Sequence, residues 1–191
     1  MNNRFNINKE KVSNSILFTL DNLGGTSDLH KIFKILYFAD QKHLTTYGFP
    51  ITGDFYIAMK NGPLPSQTYD LLKSIRGDSS FGQIDPHYKE LFTVQDYYVS
   101  AKSKADMDEL AQSDIECLLE SIHENRHLDF GELSNKSHKK AWENANNANN
   151  FDNEMTIIDI VEEADVNEEM KKYILLNLEN QQLFNTYAKL G

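Results

Sequence analysis

The sequence predicts a mainly α protein with a small antiparallel β-sheet, an α+β class, folded as a single compact domain over residues 1–191 around a central buried helix. Three observations predict it. From Leu29 to Asp40, apolar residues recur at helical spacing but spread over several sides of the helix, leaving only a narrow polar strip through His30, Lys34 and Gln41. Elsewhere most segments carry a one-sided helical pattern. Only three short runs, Phe55–Lys60, Leu91–Val94 and Tyr97–Ala101, alternate or concentrate aromatic and β-branched residues in the manner of strands.

Composition narrows the classes of function. The chain has 191 residues, 40% hydrophobic and 25% charged, which is ordinary for a globular protein with its own core. Met1–Lys11 is polar and lacks the apolar centre of a signal peptide, and no run approaches the length of a membrane span, so the expected location is the cytoplasm. Cys117 is the one cysteine. It can make no internal disulfide, offers no Cys pair to zinc, and sits between Ile115 and Leu118 as an expected core residue. A formal net charge of −10 repels nucleic acid and anionic membrane at long range. From Glu143 to Met170 there is no Lys or Arg while acids accumulate, a tract able to steer a basic partner.

In chain order, Asn8 is expected to cap a first helix from Lys9 to about Leu23, with Val12, Ile16, Leu17 and Leu20 on one face and Gly24-Gly25 as its stop. Thr26, Ser27 and Asp28 offer cap oxygens to the central helix, which is expected to run to about Tyr47, where Gly48 and Pro50 end it. Phe55–Lys60 then reads as a strand. Asn61-Gly62 would suggest a tight hairpin, but Pro63 and Pro65 lack N–H groups, so the expectation is a rigid surface loop that leaves the sheet. Ser66 is the expected cap of a helix carrying Tyr69, Leu72 and Ile75 and stopped by Gly77, with Gly77–Gly82 a loop. Leu91–Val94 and Tyr97–Ala101 read as a hairpin around Gln95-Asp96, expected to join Phe55–Met59 in one sheet. Ser113 is expected to cap a helix to Asn125, Asp129–Leu133 to make a short turn, and Ser137 to begin a helix through Trp142. Asn144–Asn153 is expected to be a loop. Thr156 caps the next predicted helix. Asn167 opens the last, with Met170, Ile174, Leu178 and Phe184 along one side to about Ala188.

Chemistry-bearing residues are sparse. Asp40 and His43, three apart, can share a helical face and hold a metal or polarise a water, but no third ligand stands in a recognisable pattern, and a helix-end hydrogen bond or cap is the preferred account of them. His138 and Trp142 likewise read as a packed pair, and Lys136, Lys139 and Lys140 as a solvated patch. No glycine loop is placed to cradle a phosphate. The partner-binding candidates are Tyr56, Lys60, Asn61, Pro63, Leu64 and Pro65, which combine an aromatic, a charge and a stiff loop that loses little entropy on docking.

Three blocks in this order and spacing carry a resemblance: Lys34-Ile-Leu-Tyr-Phe-Ala-Asp40, Gly48-Phe-Pro-Ile-Thr-Gly-Asp54 and Tyr56-Ile-Ala-Met-Lys-Asn-Gly-Pro-Leu-Pro65. With weaker likeness through Glu109-Leu110, Ser113-Asp114, His138 and Trp142, the chain resembles the Panacea domain, the SocA-like antitoxin domain. Asn61 stands where an aromatic is common in that family. The resemblance implies a bacterial or phage-borne antitoxin of a toxin–antitoxin system that neutralises its cognate toxin, encoded beside it, by direct protein binding. Protein binding of this kind calls for no catalysis, cofactor or metal; the composition adds the expectation of no membrane, and the charge disfavours nucleic acid. Toxins of several unrelated kinds pair with such domains. The alternatives are a protease adaptor or transcriptional regulator acting by recruitment, and a metal-dependent hydrolase built on Asp40 and His43.

Overall fold

The molecule is assembled around helix α2, Leu29–Tyr47, in a computed structural model that describes residues 4–78, 85–148 and 153–188. The elements before and around it are α1 (Lys9–Asn22), β1 (Thr26–Asp28), β2 (Tyr56–Met59), β3 (Gly62–Pro65) and α3 (Ser66–Arg76). There follow α4 (Pro86–Leu91), β4 (Phe92–Gln95), β5 (Tyr98–Ala101), a 3₁₀ turn at Met107–Glu109 and α5 (Gln112–Asn125). The chain ends through α6 (Phe130–Ser137), α7 (Lys140–Asn147), β6 (Glu154–Met155), α8 (Ile157–Glu163) and α9 (Glu168–Ala188). This is the mainly α architecture with small antiparallel sheets that the sequence predicts, and among the described residues no helix is long and apolar enough to cross a membrane.

Helix α2 serves two hydrophobic clusters at once. Ile32, Phe33, Leu36 and Ala39 join Val12, Ile16 and Leu20 of α1 and Leu118 of α5 in one, which also takes Phe92, Val94 and Val99 from the sheet side. Tyr37 and Leu44 join Tyr56, Ala141, Ile160 and Ile174 in the other. Each such side chain taken out of water is worth about 1.5–3 kcal/mol, so a helix apolar on several sides is the natural hub. Of the three oxygens before it, Asp28 is the cap, its carboxylate accepting from Lys31 N at 2.8 Å. Gly48, in the left-handed region at φ 88°, ends it. The predicted polar strip is not a solvent strip throughout, since Lys34 is 2% exposed beneath the β2–β3 hairpin.

The strands form two three-stranded sheets, not the one expected. One has the order β1-β5-β4, pairing Ser27 with Val99 and Val94 with Val99's side of the hairpin; the other has the order β3-β2-β6, pairing Ile57 with Leu64 and Tyr56 with Met155. The edge that Phe55–Met59 was expected to share with the β4–β5 hairpin is filled instead by β1, whose residues offered only caps in sequence.

The predicted departure of Pro63 and Pro65 from the sheet is also overturned: both lie in β3, opposite Ala58 and Tyr56. Ala58 N bonds away from β3, to Asn153 O at 2.8 Å, and Pro63 O bonds away from β2, to Lys34 Nζ at 2.8 Å. Those pairs are therefore the non-hydrogen-bonded kind, and on an edge strand two prolines spaced by two cost the ladder no donor.

Several caps are relocated. Ser66 makes no side-chain cap for α3; Asp54 does so from a distance, accepting from Gln67 N at 3.1 Å and Thr68 N at 2.7 Å. At α5 the side chain that bonds the helix start is Asp114, which accepts from Ala111 N at 2.9 Å, and Ser113 is free to bond elsewhere. Asp129–Leu133 is not an isolated turn but the start of α6, capped by Asp129 with Glu132 bonding back at 2.8 Å. Ser137 thus ends a helix where it was expected to begin one, and His138 lies between α6 and α7. The caps at Asn8, Thr156 and Asn167 stand as predicted. On α9, Ile174 and Leu178 are buried but Phe184 is 72% exposed. Helix α7 carries the expected Asn-rich loop as far as Asn147 in helical form; its residues 149–152, and residues 79–82 of the Gly77–Gly82 loop, lie outside the described residues.

Candidate functional site

Three successive odd-numbered carbonyls at the β2–β3 turn are each held by a side chain from another element. Trp142 Nε1 on α7 donates to Met59 O at 3.0 Å, His30 Nε2 on α2 donates to Asn61 O at 3.2 Å, and Lys34 Nζ donates to Pro63 O at 2.8 Å. Behind them His138 stacks on Trp142, with ring centroids 3.9 Å apart and planes 16° from parallel. His30 stacks on Phe130 of α6 at 3.9 Å and reaches Ser134 Oγ at 3.1 Å. Gly62 makes the approach possible, because at φ 97° a Cβ there would stand 2.2 Å from Ser137 Oγ and 2.9 Å from Lys34 Cε. The turn is thus rigid by bonding from both flanks, not by its prolines alone.

This braced hairpin forms one wall of a groove of about 510 Å³. Leu29, Phe33 and Lys34 make its floor, Leu64 and Tyr69 its side, and its mouth carries Tyr97, Phe130 and Met59, which are 73%, 52% and 50% exposed. An open hollow of this size with a largely apolar lining is the usual form of a binding site, and a cluster of exposed aromatics is what interfaces concentrate.

The candidates read from sequence are divided by burial. Lys60 and Asn61 are exposed and Leu64 is half-buried, all lining the groove. Pro63 is buried in the groove wall, Pro65 is buried, and Tyr56, 4% exposed, points into the core and away from any partner. Tyr56 is placed there because its hydroxyl donates to Asp40 at 2.8 Å. Met59, Tyr97 and Phe130 were not singled out in the sequence. Each is a lone apolar residue at a turn or helix start, and only the fold brings them to one opening.

Electrostatics follow from burial. Desolvation pulls the Lys34 ammonium from 10.5 down to about 7. Burial also lowers His30 and His138, and the neighbouring Lys34 adds to both. Asp40 is pushed up to about 6 by burial, opposed by hydrogen bonds from Thr52 and Tyr56. The Cys117 thiol is raised to about 11 by burial. Asp40 and His43 do not converge. Asp40 accepts from Thr52 N at 2.9 Å, from Thr52 Oγ1 and from Tyr56. His43 donates from Nδ1 to Phe49 O at 2.7 Å and turns Nε2 to Ser113 Oγ at 3.0 Å and Asp114 at 3.2 Å. That serine and that acid share a single ring nitrogen in a wholly buried place, whereas a relay needs them on opposite nitrogens. Among the described residues no three His, Cys, Asp or Glu side chains are grouped to hold a metal ion.

A family model for the SocA-like antitoxin, Panacea domain, matches residues 32–143, more than half of the chain. The chain belongs to that family. No curated protein and no solved structure is similar enough to count as a match. The matched segment of this Panacea domain runs from α2 to the start of α7 and so contains the hairpin, the groove mouth and Trp142.

Proposed function

We propose that this protein is an antitoxin that neutralises its cognate toxin, encoded beside it, by stoichiometric binding, with no chemistry of its own, and that the toxin docks on the groove beside the β2–β3 hairpin. The observation that carries the reading is the exposure of Tyr97, Phe130 and Met59 around an apolar hollow in a chain of the SocA-like antitoxin family. A turn fixed at three carbonyls supports it further, since a surface already ordered gives up little entropy on docking.

The test is co-expression with the neighbouring reading frame. Wild-type chain should restore growth of cells poisoned by that frame. The double variant Met59→Ser and Tyr97→Ser should fail to restore it while keeping the wild-type circular dichroism and melting temperature. Undiminished rescue by the double variant removes the groove as the docking surface. A neighbouring frame that is harmless with or without this protein removes the antitoxin reading.

A further inference from the structure

The groove sorts charge as well as shape. Its floor and rim carry Lys34, Lys60 and His30, and its lining contains no Asp or Glu, in a chain with 29 acidic residues against 19 basic. Lys34 is 2% exposed and among the described residues no carboxylate lies within ion-pair distance of it. An ammonium has three donors, and one carbonyl, Pro63 O, is the acceptor it reaches. His30 donates its Nε2–H to Asn61 O, so its buried, unpartnered Nδ1 carries a lone pair and leaves Lys34 as the donor at the groove floor. Phe33, Leu64 and Tyr69 surround these groups with low-dielectric material, in which an unanswered cation costs most and a matching anion gains most.

We propose that the groove receives a segment of the partner protein in which an Asp or Glu is flanked by apolar side chains, the carboxylate lying over Lys34 and the apolar neighbours against Tyr97 and Phe130. This rests on the reading above only in taking the partner to be the toxin. The net charge of −10 does not oppose it, because at physiological salt a charge acts over about 8–10 Å, and the segment within the groove meets the groove's own cations first. Charge pairing of this kind also sets specificity: a carboxylate draws the Lys34 amine, half-protonated near pH 7, into its charged form, whereas a lysine in the segment would hold it neutral and a glutamine brings no counter-charge.

A random dodecapeptide library displayed on phage, selected on the purified full chain, tests the proposal. The wild-type pool should be enriched in Asp or Glu placed within two positions of Leu, Ile or an aromatic. The leading peptide, measured by fluorescence anisotropy, should lose about tenfold in affinity when its acid is changed to the amide. The same change should matter less than about twofold on Lys34→Met, and the peptide should not bind Tyr97→Ser, an exposed position whose change leaves the core intact. The proposal is overturned if acid and amide peptides bind wild type alike, if Lys34→Met keeps the discrimination, or if no peptide is recovered. In each of those cases growth rescue by the wild-type chain would leave the antitoxin reading standing, whereas loss of rescue alone would not touch the peptide result.

Discussion

Lys34 offers the sharpest measurement, because its burial has a signature in pH that packing alone cannot imitate. In the unfolded chain its ammonium titrates near 10.5; folded, desolvation brings it down to about 7. Between those values the unfolded state holds a proton that the folded state has shed, so stability rises with pH across the window, and it is lost as pH falls through 7. With 1.36 kcal/mol per pH unit, and allowing for half-protonation of the folded form at pH 7, the wild type should gain about 2 kcal/mol between pH 7 and pH 9 relative to Lys34→Met. His30 and His138 do not confuse the comparison, since both are lowered from 6.5 and stay neutral over this range. Urea unfolding followed by circular dichroism at pH 7, 8 and 9 reads the difference directly. Parallel stability profiles for the two proteins would refute the reasoning: they would mean that water reaches the ammonium, that the groove floor is wet, and that no desolvated cation waits there.

Other perturbations separate the parts of the site. Trp142→Phe keeps a ring against His138 but removes the donor to Met59 O, and should cost about 1 kcal/mol in urea unfolding with faster amide exchange at the β2–β3 turn. Gly62→Ala forces a side chain into a φ of 97° and against Ser137 Oγ, and should cost about 2 kcal/mol, read as a lowered urea midpoint with an unchanged slope. Asp54→Ala leaves Gln67 N and Thr68 N without their acceptor and should destabilise by about 1–2 kcal/mol, while Ser66→Ala, at the position expected to be the cap, should change urea stability by less than about 0.5 kcal/mol.

Much of this was legible because it is local. The helix from Leu29 to Tyr47 follows from its apolar spacing and from Asp28 and Gly48 at its ends, and the β4–β5 hairpin from its aromatic and β-branched runs. What failed were choices among equivalent local signals. Ser66, Ser113 and Ser137 each have the right chemistry for a cap, but Asp54 and Asp114 take that work at α3 and α5, Glu163 accepts from Ala141 N at the start of α7, and a carboxylate twelve residues before a helix leaves no mark at the helix itself. The prolines misled because their cost depends on which way a strand's amides face, and that is set by partners on both sides of β2. Tyr56 was legible as an important aromatic but not as a buried one, since the Asp40 carboxylate that draws it inward lies sixteen residues away in the chain. The groove mouth was illegible for the same reason: Tyr97 closes a hairpin, Phe130 opens a helix, and no spacing relates them.

The two sets of residues at the site have separable duties, and that bears on how such a domain can meet different partners. His30, Lys34, Gly62, His138 and Trp142 fix the hairpin and are tied to one another by hydrogen bonds, stacking or close approach, so a change at any one is paid first in stability. Tyr97, Phe130, Met59 and Lys60 stand at the rim, largely in solvent, and hold up nothing of the turn except the stacking of Phe130 on His30. Changes at Tyr97, Met59 and Lys60 should therefore alter which segment is bound while the unfolding free energy stays within about 0.5 kcal/mol of wild type. Changes in the support other than Lys34 should weaken every partner alike, through loss of the ordered turn. A scan that measured both quantities would sort the residues into two groups along this line, and a support residue that altered preference without altering stability would show that the floor reads the partner directly, as Lys34 is placed to do.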